Sequence, residues 1–296
     1  MPPSFRAAPV RVRVPATSAN LGPGFDAMAL ALGLHDDVIV RIAESGVRLD
    51  VAGEGADEVA ARPEKNLVVK SLRATFDLLG GQPRGLEVVC ANRIPHGRGL
   101  GSSAAAIVAG VVAARELVLG GLPDDRALDL AATIEGHPDN VAACLLGGLA
   151  LTWRTGEVYQ AIRLDPHPSL APVVYVPQTK SSTAKARRLL PDTVPHADAA
   201  ANAGRAALLV EALTRQPALL FAATEDRLHQ SYRAEAYPRT TTLLKSLRAN
   251  GIPAVVSGAG PTVLAFGEPV EPPRGWTAAP LPVELRGAAV VGMESP

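Results

Sequence analysis

One stretch of the 296-residue chain has the composition of an anion cradle: Ile94-Pro95-His96-Gly97-Arg98-Gly99-Leu100-Gly101-Ser102-Ser103-Ala104-Ala105. Gly97, Gly99 and Gly101 permit positive φ and close backbone approach. The small and apolar run from Ala104 to Ala114 then reads as a helix opening at the two serines. A helix N-terminus presents unpaired N–H groups and a partial positive charge, so it attracts anions. The hydroxyls of Ser102 and Ser103 could reach phosphate oxygens, or a magnesium ion, which favours oxygen ligands. No Gly-Lys-Ser/Thr follows the glycines, so this is not a Walker loop. It is not a dinucleotide fingerprint either, which needs strand, G-x-G-x-x-G and a ribose-binding acid. Taken alone, the stretch is equally a glycine-rich turn with serine caps.

The surrounding elements must place that loop. Val10, Val12 and Val14 alternate with Arg11 and Arg13 and predict a half-buried strand, followed by a loop from Ala16 to Asp26. Strands are expected at Asp37–Ile42, Val47–Val51 and Leu86–Ala91, the last running into the glycine loop. Helices are expected over Pro63–Leu79, closed by Gly80-Gly81, from the serines to about Leu119, and over Asp124–Glu135. Gly147-Gly148 opens a strand to Trp153, and the prolines at 166, 168 and 172 mark a boundary between 1–165 and 166–296. The second part mixes helices (Thr183–Leu190, Asp198–Thr214, Thr240–Ala249) with strands (Val173–Val176, Ala254–Val256, Val263–Phe266). The tail beyond Pro269 gives little signal apart from a closing strand at Ala288–Val291. Mixed strands and helices without a strict βαβ series imply an α+β protein.

Lys+Arg and Asp+Glu balance at 29 each, so no bulk charge favours nucleic acid or an anionic membrane, and an anion site must be local. The longest apolar run is too short to span a bilayer, and Met1–Pro9 lacks the apolar core of a signal peptide. A cytoplasmic location is expected. Cys90 and Cys144 have no CxxC neighbour and read as buried thiols, not zinc ligands.

The loop resembles the signature of the GHMP kinases, from Ile94 and Pro95 through Gly97, Gly99, Leu100, Gly101, Ser102 and Ser103 to Ala104 and Ala105. A second block, Val256-Ser257-Gly258-Ala259-Gly260-Pro261-Thr262, is similar to another motif of that family and could lie against the loop. Val14 to Asp26 (VPATSANLGPGFD) and Glu135 to Val141 (EGHPDNV) resemble the branch that phosphorylates L-homoserine. Thr183-Ala184-Lys185-Ala186-Arg187 and Arg233 fall where that branch carries further substrate contacts. Gln230-Ser231 departs from the Glu-Pro often found before the tyrosine and arginine there.

The resemblance implies a two-domain GHMP fold. A ribosomal protein S5 domain 2-like N-terminal domain, with a left-handed βαβ unit, would hold ATP, and a ferredoxin-like C-terminal domain would close the cleft. It implies ATP and Mg²⁺ as cofactors, L-homoserine as acceptor, and leaves a homodimer open. Nucleotide contacts would come from Asn66, from Pro95, Gly97, Arg98, Gly99, Leu100, Gly101, Ser102, Ser103 and Ala104, and from Gly258 and Gly260. Asn66 reads equally as a helix N-cap. Ser103 and Glu135 would be the metal ligands, although a lone Glu at a helix end is ordinarily solvated. Asp139 would lie near the attacking hydroxyl, as base or orienter, or could simply cap a helix. Asn20, Asp26, His137, Thr183, Arg187 and Arg233 would meet the substrate. Asp26 would balance an ammonium, and the two guanidinium forks suit a carboxylate. That inventory fits an amino acid better than a sugar or mevalonate. A ligand-binding sensor without turnover is the rival outside catalysis.

Overall fold

A computed structural model describes residues 3–56, 63–180 and 183–292, with the side chains of Thr183 and Ala184 outside that set. The chain opens with β1 (Val10–Ala19), β2 (Met28–Ala43) and β3 (Gly46–Gly53). Next come α1 (Leu67–Leu78), β4 (Gly85–Asn92) and α2 (Ser102–Leu117), then α3 (Asp124–Glu135) and α4 (Asp139–Leu146). The hairpin of β5 (Leu149–Thr155) and β6 (Val158–Leu164) leads to β7 (Pro172–Pro177). The remainder is α5 (Thr183–Arg187), α6 (His196–Thr214), α7 (Leu220–Ala223), α8 (Pro238–Ala249), β8 (Ala254–Val256), β9 (Val263–Phe266), β10 (Trp276–Pro280) and β11 (Ala289–Val291).

Among the described residues, seven strands form one sheet in the order β11-β1-β2-β4-β3, with β2 also pairing β5 and β5 pairing β6. The long β2 makes this possible: its far half, Asp37–Ala43, pairs β4, and Met28–Leu30 pairs β5. A four-stranded antiparallel sheet, β10-β7-β9-β8, forms the second layer. β3 and β4 pair in parallel, so α1 lies on a crossover, as the expected βαβ unit requires.

The expected loop from Ala16 to Asp26 begins later than its composition implied. β1 continues to Ala19 past a register shift between Pro15 and Ala16, and Ala16–Ala19 pairs Ala29–Leu32. This part is buried on both faces, so apolar alternation is lost and the strand looked like loop. α5 ends at Arg187, short of the expected Leu190. β6 and β10 were not anticipated. The C-terminal segment returns to the first sheet, where β11 pairs β1 and Val283 bridges Leu32.

α2 is apolar around nearly its whole circumference and is buried from Ala104 to Leu117 except at a few positions. Such a helix belongs in a core. Gly110 lets α1 cross it closely, since a Cβ there would stand 2.6 Å from the Val68 carbonyl oxygen. α2 is thus clamped between α1 and the sheet with its N-terminus pointing at the glycine loop. Among the described residues no helix is long and apolar enough to cross a membrane. Both cysteines are buried and unpaired, and burial pushes the Cys90 thiol up to about 12.

On the open face of the large sheet Asp37 is nearly buried among three arginines. Arg13 Nε and Nη2 reach its two oxygens at 3.1 Å, Arg93 donates at 3.0 Å and Arg11 at 3.3 Å. Burial alone would raise its pKa, but hydrogen bonds from Arg13, Arg93 and Arg11 outweigh it and hold the carboxyl at about 2. A depressed carboxylate stabilises the fold above its unfolded value near 4 and loses that contribution as pH falls through about 2. The shift corresponds to about 2 kcal/mol. Asp37→Asn should therefore lower urea-denaturation stability by about that amount at pH 7. The gap from the parent should close between about pH 4 and pH 2. A gap independent of pH would show that charge is not its origin.

Candidate active site

The glycine loop is held from three sides. Gly97, Gly99 and Gly101 all have positive φ. Gly99 packs against the hairpin at 257–260, where Ser257 Oγ lies 2.6 Å from the Gly99 carbonyl oxygen and 2.8 Å from Ser18 Oγ. The Gly258 amide donates to the Ala19 carbonyl at 3.0 Å, and Asn20 Nδ2 donates to the Gly258 carbonyl at 2.9 Å. The second glycine block thus lies against the loop, as its sequence allowed. Gly101 sits at the start of α2 and leaves no room for a side chain, with Thr17 Oγ1 1.9 Å from where a Cβ would be. Thr17 Oγ1 instead donates to Asn140 Oδ1 at 2.7 Å, tying β1 to α4, while the Thr17 amide donates to the Leu100 carbonyl of the loop at 3.1 Å. Neither Thr17 nor Asn140 stood out in the sequence, because the contact joins positions 123 residues apart.

A cleft of about 140 Å³ lies beyond the loop, walled by Asn20, Asp26, His137, Asp139, Arg187 and Arg233, with Ser103, Glu135 and the glycines completing it. Ser103 Oγ donates to Glu135 Oε2 at 2.6 Å. Glu135 is the last residue of α3, where the helix dipole disfavours a negative charge. Burial raises its pKa further, against the hydrogen bond from Ser103. Its closest basic neighbour is His137, with Nε2 at 3.8 Å. A partly buried carboxylate beside a serine hydroxyl, without a Lys or Arg partner among the described residues, offers oxygen donors of the kind a divalent cation takes. No group of three or more His, Cys, Asp or Glu among the described residues makes a protein-only cage.

His137 Nδ1 lies 2.8 Å from Asp139 Oδ1, which also accepts the Asn140 amide at 2.7 Å. The second Asp139 oxygen is left to the cleft. Burial works to lower the His137 pKa, but the hydrogen bond to Asp139 and the charges of Asp139 and Glu135 outweigh it, and the net shift is upward. α4 begins at Asp139, with Pro138 preceding it and no side chain capping the end. Asp139 is therefore the first helical residue and not the cap.

Arg187 Nη1 and Nη2 each lie 2.8 Å from an Asp26 oxygen, a two-pronged ion pair that raises the arginine's pKa. Arg233 is different. It is 2% exposed, its Nε has no partner among the described residues, and Nη1 lies 3.2 Å from His229 Nδ1. His229 Nε2 is 2.9 Å from the Gly22 carbonyl, so its proton sits there and Nδ1 accepts from the arginine. Burial keeps His229 neutral by lowering its pKa. Phe25 stacks on His229 with centroids 5.0 Å apart and lies 5.1 Å beneath the Arg233 guanidinium. His229 and Phe25 thus set Arg233, and no local signal marked His229 for this.

A second, larger cavity of about 520 Å³ opens on the other side of Ser102 and Ser103. Val14, Val38 and Cys90 line it from the sheet, and Asn66 from α1. Asn66 caps α1, accepting from the Val68 and Val69 amides at 2.8 and 3.3 Å, and also borders this cavity. Leu100 and Ala104 are core residues. Arg98 faces neither cavity: its guanidinium donates to the carbonyls of His96, Pro177 and Gln178, pinning the loop to the end of β7. Thr183 begins α5, but its side chain lies outside the described residues.

A glycine loop at a helix N-terminus, opening on a large cavity on one side and an acid- and arginine-lined cleft on the other, defines a small-molecule phosphotransferase fold. Residues 66–148 match the GHMP kinases N terminal domain and residues 199–278 the GHMP kinases C terminal domain, and the chain belongs to this family of ATP-using kinases. Among its relatives, homoserine kinase of Streptomyces coelicolor is 64% identical, covering 98% of this chain and 96% of that one. Homoserine kinase of Streptomyces avermitilis is 62% identical, covering 98% of both. The crystal structure of homoserine kinase from Cytophaga hutchinsonii superposes with a TM-score of 0.83 at 27% identity, covering 97% of this chain and 98% of that one. Mevalonate kinase of L. major shares the fold at a TM-score of 0.65 and 17% identity, over 96% and 97% of the two chains.

Proposed function

We propose that the chain transfers the γ-phosphoryl group of ATP to the hydroxyl of L-homoserine, giving ADP and O-phospho-L-homoserine, a step towards threonine. The observation that carries the substrate is the cleft's charge set: Asp26, Arg187 and Arg233 beside the free oxygen of Asp139. An α-amino acid brings one ammonium and one carboxylate, the two charges this set can match. A mevalonate-like acid has no ammonium for Asp26. In the absence of substrate Asp26 and Arg187 satisfy each other, and a bound zwitterion exchanges that pair for two complementary ones.

The backbone of Gly97–Gly101 and the N-terminus of α2 hold the phosphates, and Gly258 and Gly260 support the loop. Ser103 and Glu135 would hold Mg²⁺, which when bound would neutralise charge developing on the phosphates. Asn20 donates into the loop support and orients Asp26, whose amide lies 3.0 Å from Asn20 Oδ1. Asp139 aligns the hydroxyl through its free oxygen and takes up its proton, while His137 and the Asn140 amide fix the carboxylate. Phosphoryl transfer through a loose transition state depends chiefly on such positioning and charge stabilisation. Residues 1–165 form the nucleotide-binding part in this reading, and 166–296 supply Arg187, Arg233 and the supporting hairpin. An enzyme of amino-acid synthesis implies a cytoplasmic setting.

ADP release with Mg-ATP, run in parallel with L-homoserine, mevalonate, galactose and no acceptor, tests the reading. Release with L-homoserine alone is expected. Release with mevalonate or galactose instead would retain the kinase and discard the amino-acid pocket. Nucleotide binding without release on any acceptor would favour a sensor.

A further inference from the structure

We propose that Asp36 selects the base of the nucleotide, by accepting a hydrogen bond from the exocyclic amino group of adenine in the 520 Å³ cavity. The inference rests on reading that cavity as the nucleoside pocket. Asp36 is 5% exposed, in β2 opposite Val14, and lines this cavity. It is the only acidic residue among the described residues that line it. Its Oδ1 is already committed, accepting the Arg93 amide at 2.5 Å and the Ile94 amide at 2.9 Å. Those two amides begin the turn into the glycine loop, so the carboxylate is held rigidly where the loop starts. Oδ2 has no partner among the described residues and is the atom left to meet a ligand.

The rest of the lining suits a purine. Val14, Val38 and Cys90 offer an apolar surface for a flat ring, and Ser102 and Ser103, shared with the substrate cleft, mark where the phosphates pass. A base whose phosphates lie at the serines can direct its ring edge to the sheet, where Asp36 is the acceptor. Adenine presents a donor at N6, whereas hypoxanthine and guanine present an acceptor at that position. A carboxylate oxygen therefore accepts from adenine and repels the other two. Burial raises the Asp36 pKa above the ordinary carboxylate value, against the backbone hydrogen bonds that lower it. A pH of 8 favours the ionised form.

The fixed Oδ1 makes the consequence of one substitution definite. In Asp36→Asn the Arg93 and Ile94 amides still require an acceptor, so the amide oxygen must take the place of Oδ1 and the NH₂ group must turn into the cavity. The acceptor facing the base becomes a donor. The measurement is kcat/KM for ATP, ITP, GTP and 2′-deoxy-ATP at pH 8 with L-homoserine at saturation, for the parent and Asp36→Asn. Nucleotide binding by calorimetry accompanies it. The expected result is that the ATP-to-ITP ratio falls by at least about tenfold in the variant, with GTP gaining in parallel, because a hydrogen bond to a charged acceptor is replaced by a donor–donor clash. An equal loss on every nucleotide would show that Asp36 only shapes the loop and would overturn the inference. A change confined to the ATP-to-deoxy-ATP ratio would assign Asp36 to the ribose and would also overturn it. Absence of nucleotide binding in the parent would instead remove the pocket reading on which it rests.

Discussion

Gly99→Ala should reduce kcat/KM by roughly a hundredfold or more and cost about 3 kcal/mol of stability. A Cβ at this position would stand 2.4 Å from the Ser257 carbonyl oxygen and 2.9 Å from that of Gly260. Both neighbours are backbone, so no side chain can swing aside. The backbone is also at φ 76°, where an alanine is strained by about 1 kcal/mol or more. Relief requires the loop and the 257–260 hairpin to separate, which breaks the Ser257 hydrogen bonds to Gly99 and Ser18. The backbone proposed to hold the phosphates then shifts relative to Asp139, and a displacement near 1 Å is enough for the stated loss. Gly204→Ala is the control. It lies in α6, and nothing stands within 4 Å of its Cβ position. It should leave kinetics unchanged and raise stability by about 0.5–1 kcal/mol. Equal behaviour of the two variants would rule out the clash as the cause.

Arg233→Met should weaken the site while sparing or strengthening the fold. The guanidinium is buried, has no carboxylate partner among the described residues and leaves Nε unbonded. Burial lowers its pKa, the sign of an under-compensated cation. Replacing such a charge by an apolar side chain of similar length is often neutral or stabilising by about 1–4 kcal/mol. In the proposed reading, the cation is the partner of the substrate's carboxylate. KM for L-homoserine should rise by roughly a hundredfold, while urea stability holds or increases. With 3-aminopropan-1-ol, which lacks the α-carboxylate, parent and variant should be nearly equal. A variant that loses stability and keeps its KM would make Arg233 a structural residue.

Local chemistry made much of this molecule legible. The alternation of Val10–Val14, the Asn66 cap and the Gly80-Gly81 stop each record a one-sided burial or a terminal backbone need, which neighbouring residues express. α3 runs over Asp124–Glu135 and β8 and β9 keep their expected bounds for the same reason. The glycine–serine loop was visible because positive φ and a helix N-terminus restrict residue type within a few positions.

What remained hidden depends on contacts distant in sequence. Strand Ala16–Ala19 is covered on both faces, which erases the periodicity that would reveal it. β6 carries polar and apolar residues mixed and owes part of its place to Asp129, which accepts the Tyr159 amide at 2.9 Å across 30 positions. Asp26 and Arg187 were each read as ligands, but their mutual pairing arises only when segments 161 residues apart meet. Nothing local in His35-Asp36-Asp37 distinguishes the two aspartates. Adjacent residues of a strand face opposite sides, and packing gave the two aspartates opposite tasks. Asp37 is bound by arginines on the open face, and Asp36 is turned into the cavity beneath α2. Residue type and spacing thus determined the phosphate loop and the class of chemistry. The packing of segments distant in sequence determined which oxygens and cations are left to recognise a ligand, because that depends on the neighbours folding brings near.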